Sequence, residues 1–145
     1  MSNTEINLDN LRPRPIFIDK LPGISASSGT AIYPYVYVGR SLYENLTSDE
    51  PDHAGIALVL HEQEHLKRIG EAGVFKWYGR YFYSRTFRLD EEIEATKTQF
   101  NYLKQNGESV DLDHRAKILS GGVYLWPTNY QHAYALLSAI WNSAE

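Results

Sequence analysis

The chain has 145 residues, 43% of them hydrophobic and 22% charged, which is enough for one domain with a real hydrophobic core. A formal net charge of -4 and a pI near 5.7 give no electrostatic reason to expect nucleic acid or an anionic membrane as a partner. The absence of cysteine excludes disulfides and thiolate metal sites, so any metal ion must be held by histidine and carboxylate.

No run approaches the roughly 20 apolar residues of a membrane span, and the polar start MSNTEINLDN has no signal-peptide character. A soluble, cytoplasmic protein is the expectation. Residues 1–15 are polar and end in Leu11-Arg12-Pro13-Arg14-Pro15, which reads as an extended, loosely held arm before a single domain over 16–145. Ile16-Phe17-Ile18 and the run from Ala31 to Val38 are β-like, separated by the turn-rich loop from Gly23 to Gly29. Pro34 cannot donate to a ladder, so the second run belongs at an edge or begins late. Together they predict a small antiparallel sheet, whose edge is suited to pairing with an extended peptide.

Thr47-Ser48-Asp49 is a cluster of capping residues, and it predicts a helix with Pro51 in its first turn. Gly70 ends this helix, with Lys67 and Arg68 in the last turn. Its start, Ala54 to Leu60, is apolar all round and suits a buried helix. Directly after it comes His61-Glu62-Gln63-Glu64-His65, an H-E-x-x-H pattern. On a helix the two histidines lie about 40° apart around the axis, one turn apart, so both imidazoles reach one metal ion. Glu62 points too far round to be a ligand, but it is placed to take a proton from water activated at that ion. Two histidines and two glutamates continuing from a buried helix are costly without a partner, which favours a zinc site over a merely polar helix face.

Val74 to Tyr83 is aromatic-rich and roughly helical in period, its tyrosines best explained by packing. Asp90 then caps a helix running to about Lys104 and stopping near Gly107. Its apolar stripe is Ile93, Thr96, Phe100 and Leu103. At 100° per residue Glu92 lies about 50° from the centre of that stripe and faces inward as the third ligand. Glu91 and Glu94 point to the opposite, solvated side with Lys97, Thr98 and Asn101. Two histidines and one glutamate leave the fourth zinc position open for water. Asp111 to Leu119 is a short helix ended by Gly121-Gly122, and Thr128-Asn129-Tyr130-Gln131 is a capping box for a last helix that buries Ala133, Leu137, Ile140 and Trp141. His114 and His132 read as ordinary helix-surface histidines.

The spacing of His61-Glu62-x-x-His65 and Glu92-Ile93-Glu94-Ala95 resembles the gluzincin pattern of zinc metallopeptidases in its minimal form. More closely, the stretch from His61 through Phe87-Arg88-Leu89-Asp90-Glu91-Glu92-Ile93-Glu94-Ala95 is similar to small peptidases of phages and bacteria. The resemblance covers about a third of the chain. It implies a zincin-like fold with His61, His65 and Glu92 as ligands of Zn2+ and Glu62 as general base. The metzincin continuation is missing, since Arg68 stands where glycine is required and Glu71 where the third histidine is required; Glu71 is the remaining alternative for the third ligand.

The expectation is therefore a mainly helical α+β domain, with its small N-terminal sheet packed beside the H-E-x-x-H helix. It would act as a zinc-dependent metallopeptidase on a peptide or protein substrate, without a nucleic-acid or membrane partner. The oxyanion donor would come from the segment Tyr78 to Arg88, or from His114. The alternatives are a metal-binding protein serving structure or partner binding, for instance in phage assembly or regulation, and a hydrolase of something other than peptides. Glu62 separates them, because a purely structural site has no use for a carboxylate beside an open metal position.

Overall fold

The computed structural model describes residues 11–18 and 25–145. Residues 1–10 of the expected arm, and Gly23 and Ile24 of the expected loop, lie outside the described residues. Within the arm, Leu11 is a core residue and the Pro13 carbonyl accepts from Gln63 Nε2 at 3.3 Å.

Three short strands form one sheet: β1 (Ile16–Phe17), β2 (Gly29–Ile32) and β3 (Tyr35–Val38), in the order β1-β3-β2. The run expected over Ala31 to Val38 is divided, because Tyr33 and Pro34 form a two-residue connection that sets Ile32 opposite Tyr35 in an antiparallel hairpin. Pro34 has no N–H to contribute, so a turn suits it better than the interior of a strand. β1 joins the other side of β3 in parallel, with Ile16 opposite Tyr37. The central place of β3 follows from its alternation, since Val36 and Val38 are both fully buried.

A helix not anticipated from the sequence, α1 (Arg40–Leu46), follows the sheet and buries Leu42 and Leu46. Thr47 and Ser48 finish α1 rather than start its successor: their hydroxyls donate to the Tyr43 and Asn45 carbonyls at 2.9 and 2.7 Å. The motif helix α2 (His53–Ala72) therefore begins later than expected, with Pro51 outside it and Asp52 as N-cap, accepting from the Gly55 N–H at 2.6 Å. It also continues past Gly70. The stop is Gly73, whose φ of 91° is open to glycine at no steric cost, so Lys67 and Arg68 are not in the last turn.

α3 (Val74–Tyr83) follows as the aromatic period suggested, burying Trp77. α4 (Arg85–Gln105) starts over a turn before Asp90, because the Ser84 hydroxyl caps it by accepting from the Phe87 N–H at 3.2 Å. α5 (Leu112–Leu119) forms where expected, with Asp111 as its N-cap, and is followed by a 3-10 turn at Gly122–Tyr124. α6 (Tyr130–Ser143) is capped by Asn129, which accepts from the His132 N–H at 2.9 Å, while Thr128 instead pairs with the His132 ring at 2.7 Å. Ala133, Leu137 and Ile140 are buried; Trp141 is half-buried and meets Phe100 edge-on at 5.5 Å. His114 and His132 are exposed, as expected.

The fold is a mainly helical α+β domain. α2 and α4 share its most extensive contact, and β2 packs along α2 on the side of the motif. No helix among the described residues is long and apolar enough to cross a membrane.

Candidate metal centre

α2 and α4 lie side by side, and polar residues are buried where they meet: His61, Glu62 and His65 from α2, and Glu91 and Glu92 from α4. Because the histidines are one turn apart, their rings share a face and sit edge to face at 4.9 Å. Glu92, only 2% exposed, reaches between them. Its Oε2 is 3.2 Å from His61 Nε2 and its Oε1 is 3.4 Å from His65 Nε2.

One ligand atom from each of these residues lies within 4.8 Å of the other two. Zinc bonds of about 2.0–2.1 Å in a tetrahedron imply ligand-to-ligand edges of about 3.3–3.4 Å, so the two short separations already match. The donor set of two imidazoles and one carboxylate is also the chemistry zinc prefers in the absence of thiolates. The Nδ1 atoms of His61 and His65 are buried with no hydrogen-bond partner among the described residues. Ring orientation is held by packing instead, with His65 edge-on to Trp77 at 5.9 Å. His61, His65 and Glu92 thus form a buried cluster suited to a zinc ion, consistent with a gluzincin-like arrangement. Glu71, the alternative ligand, is exposed and outside it.

The charges in the cluster are tied together. Burial disfavours an imidazolium at His65, yet the adjacent Glu92 carboxylate outweighs it and raises the pKa to about 9. Burial likewise opposes ionisation of Glu92, and the two histidines overcome it and depress its pKa. A divalent cation competes with protons for these same lone pairs. Tyr81 donates to Glu92 Oε1 at 2.7 Å and is kept protonated by its burial and by that carboxylate.

Glu62 stands beside the cluster without joining it. Its Oε2 accepts from the Ala31 N–H of β2 at 2.8 Å, and burial raises its pKa against the pull of His61 and His65. The outer edge of β2 is further engaged by Tyr78, whose hydroxyl accepts from the Tyr33 N–H at 3.2 Å and donates to the Ala31 carbonyl at 3.4 Å.

Comparison with protein-family models, curated proteins and solved structures finds no match. The reading of the site rests on its own geometry.

The solvated face assigned to Glu91 needs correction. Glu91 is 3% exposed and takes both nitrogens of an Arg68 fork at 2.8 Å, plus the Trp77 indole N–H at 2.9 Å. The stripe from Ile93 to Leu103 placed it outward, but α3 folds over that flank of α4 and widens the buried face. Glu94 does behave as expected, with a half-exposed pair to Lys97 at 2.7 Å.

The oxyanion candidates from Tyr78 to Arg88 are mostly engaged elsewhere. Tyr78 is on the β2 edge and Tyr81 on Glu92, Arg80 lies over the Phe87 ring, and Tyr83 is almost wholly exposed. Arg88 is buried and donates to the carbonyls of Tyr81, Phe82 and Leu125. The group that lines a small cavity with His61 and Glu92 is Tyr124, which the sequence reading did not single out. That cavity, about 20 Å³, is large enough for a single water. Burial and the carboxylates of Glu92 and Glu62 raise the Tyr124 pKa well above the ordinary value, so its hydroxyl remains a donor. The backbone directly after it is left-handed at two non-glycine residues, Leu125 (φ 58°) and Trp126 (φ 48°), and Arg88 fastens the first of them.

Proposed function

We propose that this protein is a zinc-dependent metallopeptidase with His61, His65 and Glu92 as metal ligands and Glu62 as general base. The observation that carries the reading is the convergence of three buried ligand atoms from two helices, with a fourth buried side chain, Glu62, beside them and outside the cluster. When bound there, zinc supplies a water of pKa about 7 and polarises a substrate carbonyl.

The chain's own residues do the rest. The Ala31 N–H holds Glu62 Oε2, leaving Oε1 to take the proton from the attacking water and pass it to the departing amine. Burial keeps that carboxyl basic enough to hold a proton between the two steps. Tyr124 is the donor for the charge that develops on the carbonyl oxygen. An extended peptide pairing with β2 meets the Ala31 carbonyl and the Tyr33 N–H, which Tyr78 engages in its absence, while the Ala31 N–H stays on Glu62. A scaffold gains nothing from burying a carboxylate such as Glu62 beside a metal cluster, which argues for chemistry.

The test is zinc content and cleavage of a mixed peptide library by wild type and Glu62→Gln, each first shown to be zinc-loaded. We expect about one zinc per chain in both and hydrolysis only by wild type, since the amide keeps the size of the side chain but cannot accept the proton. A chain that stays metal-free on zinc titration, or two proteins that cut equally well, defeats the proposal.

A further inference from the structure

Arg115 lies in α5 and lines the small cavity together with His61, Glu92 and Tyr124. It also lines a groove of about 500 Å³ whose walls include Ser27, Asn45, Leu58 and His114. The groove is of a size that holds a peptide segment of a few residues, and Arg115 sits where it meets the cluster.

What sets Arg115 apart is the lack of a counterion among the described residues. Arg68 has Glu91 and Arg88 has three carbonyls, but the Arg115 guanidinium makes no hydrogen bond or ion pair with a described residue. Carboxylates in its neighbourhood are engaged elsewhere. Glu92 serves the two histidines and Tyr81, Asp52 caps α2 and takes Asn45, and Asp113 takes Lys117 and Tyr130. Arg115 is half-buried, and that partial desolvation lowers the guanidinium pKa, a cost that arginine cannot escape by losing its proton and that a bound carboxylate would offset.

We infer that Arg115 is a carboxylate receptor at the junction of groove and metal cluster, so that the peptides handled here carry a carboxylate beside the bond to be cut. Its planar fork matches a carboxylate in two parallel hydrogen bonds. A single monoanion also fits the charge of the site better than a phosphate dianion does, since one cation faces a cavity already bordered by Glu92. Two sources supply that group: the C-terminus of the substrate, or an aspartate or glutamate side chain within it. The inference rests on the peptidase reading for the reaction, though recognition itself does not require turnover.

Binding is therefore measured without hydrolysis, in zinc-supplemented Glu62→Gln protein. The probes are three fluorescently labelled, mixed-sequence hexapeptide pools: one with a free C-terminus, one C-terminally amidated, and one amidated with an internal glutamate. We expect one or both carboxylate pools to bind about 10- to 100-fold more tightly than the plain amide pool, and Arg115→Met to abolish that preference while leaving amide binding unchanged. The pool that wins identifies the source. Equal binding of all pools, no binding of any pool, or a preference that survives Arg115→Met overturns the inference. Should the methionine variant fail to fold, Arg115→Lys decides, because a point charge without the fork should lower the preference several-fold, and an undiminished preference counts against the receptor. Carboxylate preference in a protein whose zinc-loaded wild type cuts nothing would leave the receptor standing and remove the peptidase reading.

Discussion

Two buried polar clusters lie next to each other between the same helices. In one, Glu91 receives the Arg68 fork and the Trp77 indole. In the other, Glu92 faces His61 and His65 with only Tyr81 as an outside donor. The Glu91 cluster is closed, since a permanent cation and a neutral donor satisfy the carboxylate and nothing further is needed. The Glu92 cluster brings together groups that are all good acceptors once a proton is removed, and both histidine Nδ1 atoms lack partners among the described residues. Adjacent residues of identical chemistry are thus divided between holding the helices together and holding an ion. Sequence position does not distinguish them; the counterpart on α2 does, being an arginine for one and a pair of histidines for the other.

The largest expected effect breaks this comparison on the metal side. Glu92→Ala removes one of three converging ligands, and zinc affinity should fall by clearly more than the roughly 10- to 100-fold loss seen when a supporting residue is removed. Competition against a chelator measures it. Glu91→Ala should do the reverse, keeping zinc affinity within about 10-fold while destabilising the metal-free protein by about 2–3 kcal/mol in denaturant unfolding. That range lies below the usual cost of about 3–5 kcal/mol for breaking a buried ion pair, because the Arg68 side chain is 31% exposed and regains water. If Glu91→Ala costs as much zinc affinity as Glu92→Ala, the two clusters are one network and the division drawn between them is wrong.

How far the sequence reveals this division depends on which force places each residue. His61 and His65 are legible because four residues make one helical turn wherever the helix lies, and Glu92 is legible from its bearing to Phe100 and Leu103. Glu91 is not, because its burial comes from α3 folding across α4, a tertiary event with no local signature. Both ends of α2 and the start of α4 differ from the expectation for a related reason, whereas α4 ends where expected, at Gln105. Several residues near each end can cap, and packing chooses Asp52, Gly73 and Ser84 over Asp49, Gly70 and Asp90. Pro34 was correctly seen as unsuited to a ladder, yet the turn it makes with Tyr33 needed the partner strand to become visible. Tyr124 had the weakest signal of all. The bend that follows it uses Leu125 and Trp126 in a conformation usually marked by glycine or asparagine, so the sequence carries no punctuation there.

The smallest expected effect sharpens the comparison at a residue that touches both clusters. The Tyr81 ring stacks on Trp77 at 4.7 Å and 15°, and Trp77 belongs to the Glu91 side, whereas the Tyr81 hydroxyl donates to Glu92. Tyr81→Phe keeps the ring and its stack and deletes only the donor. Stability of the metal-free protein should drop by about 1 kcal/mol, the usual value of one hydrogen bond, and the Glu91 cluster should be untouched. Zinc affinity should weaken about 10-fold, because the hydroxyl fixes the rotamer that points Glu92 between the histidines. Isothermal titration of wild type and Tyr81→Phe measures the change. A variant that binds zinc more tightly would show that the hydroxyl competes for the carboxylate's charge instead of orienting it, and Tyr81 would then belong to the packing of α3 on α4 rather than to the metal centre.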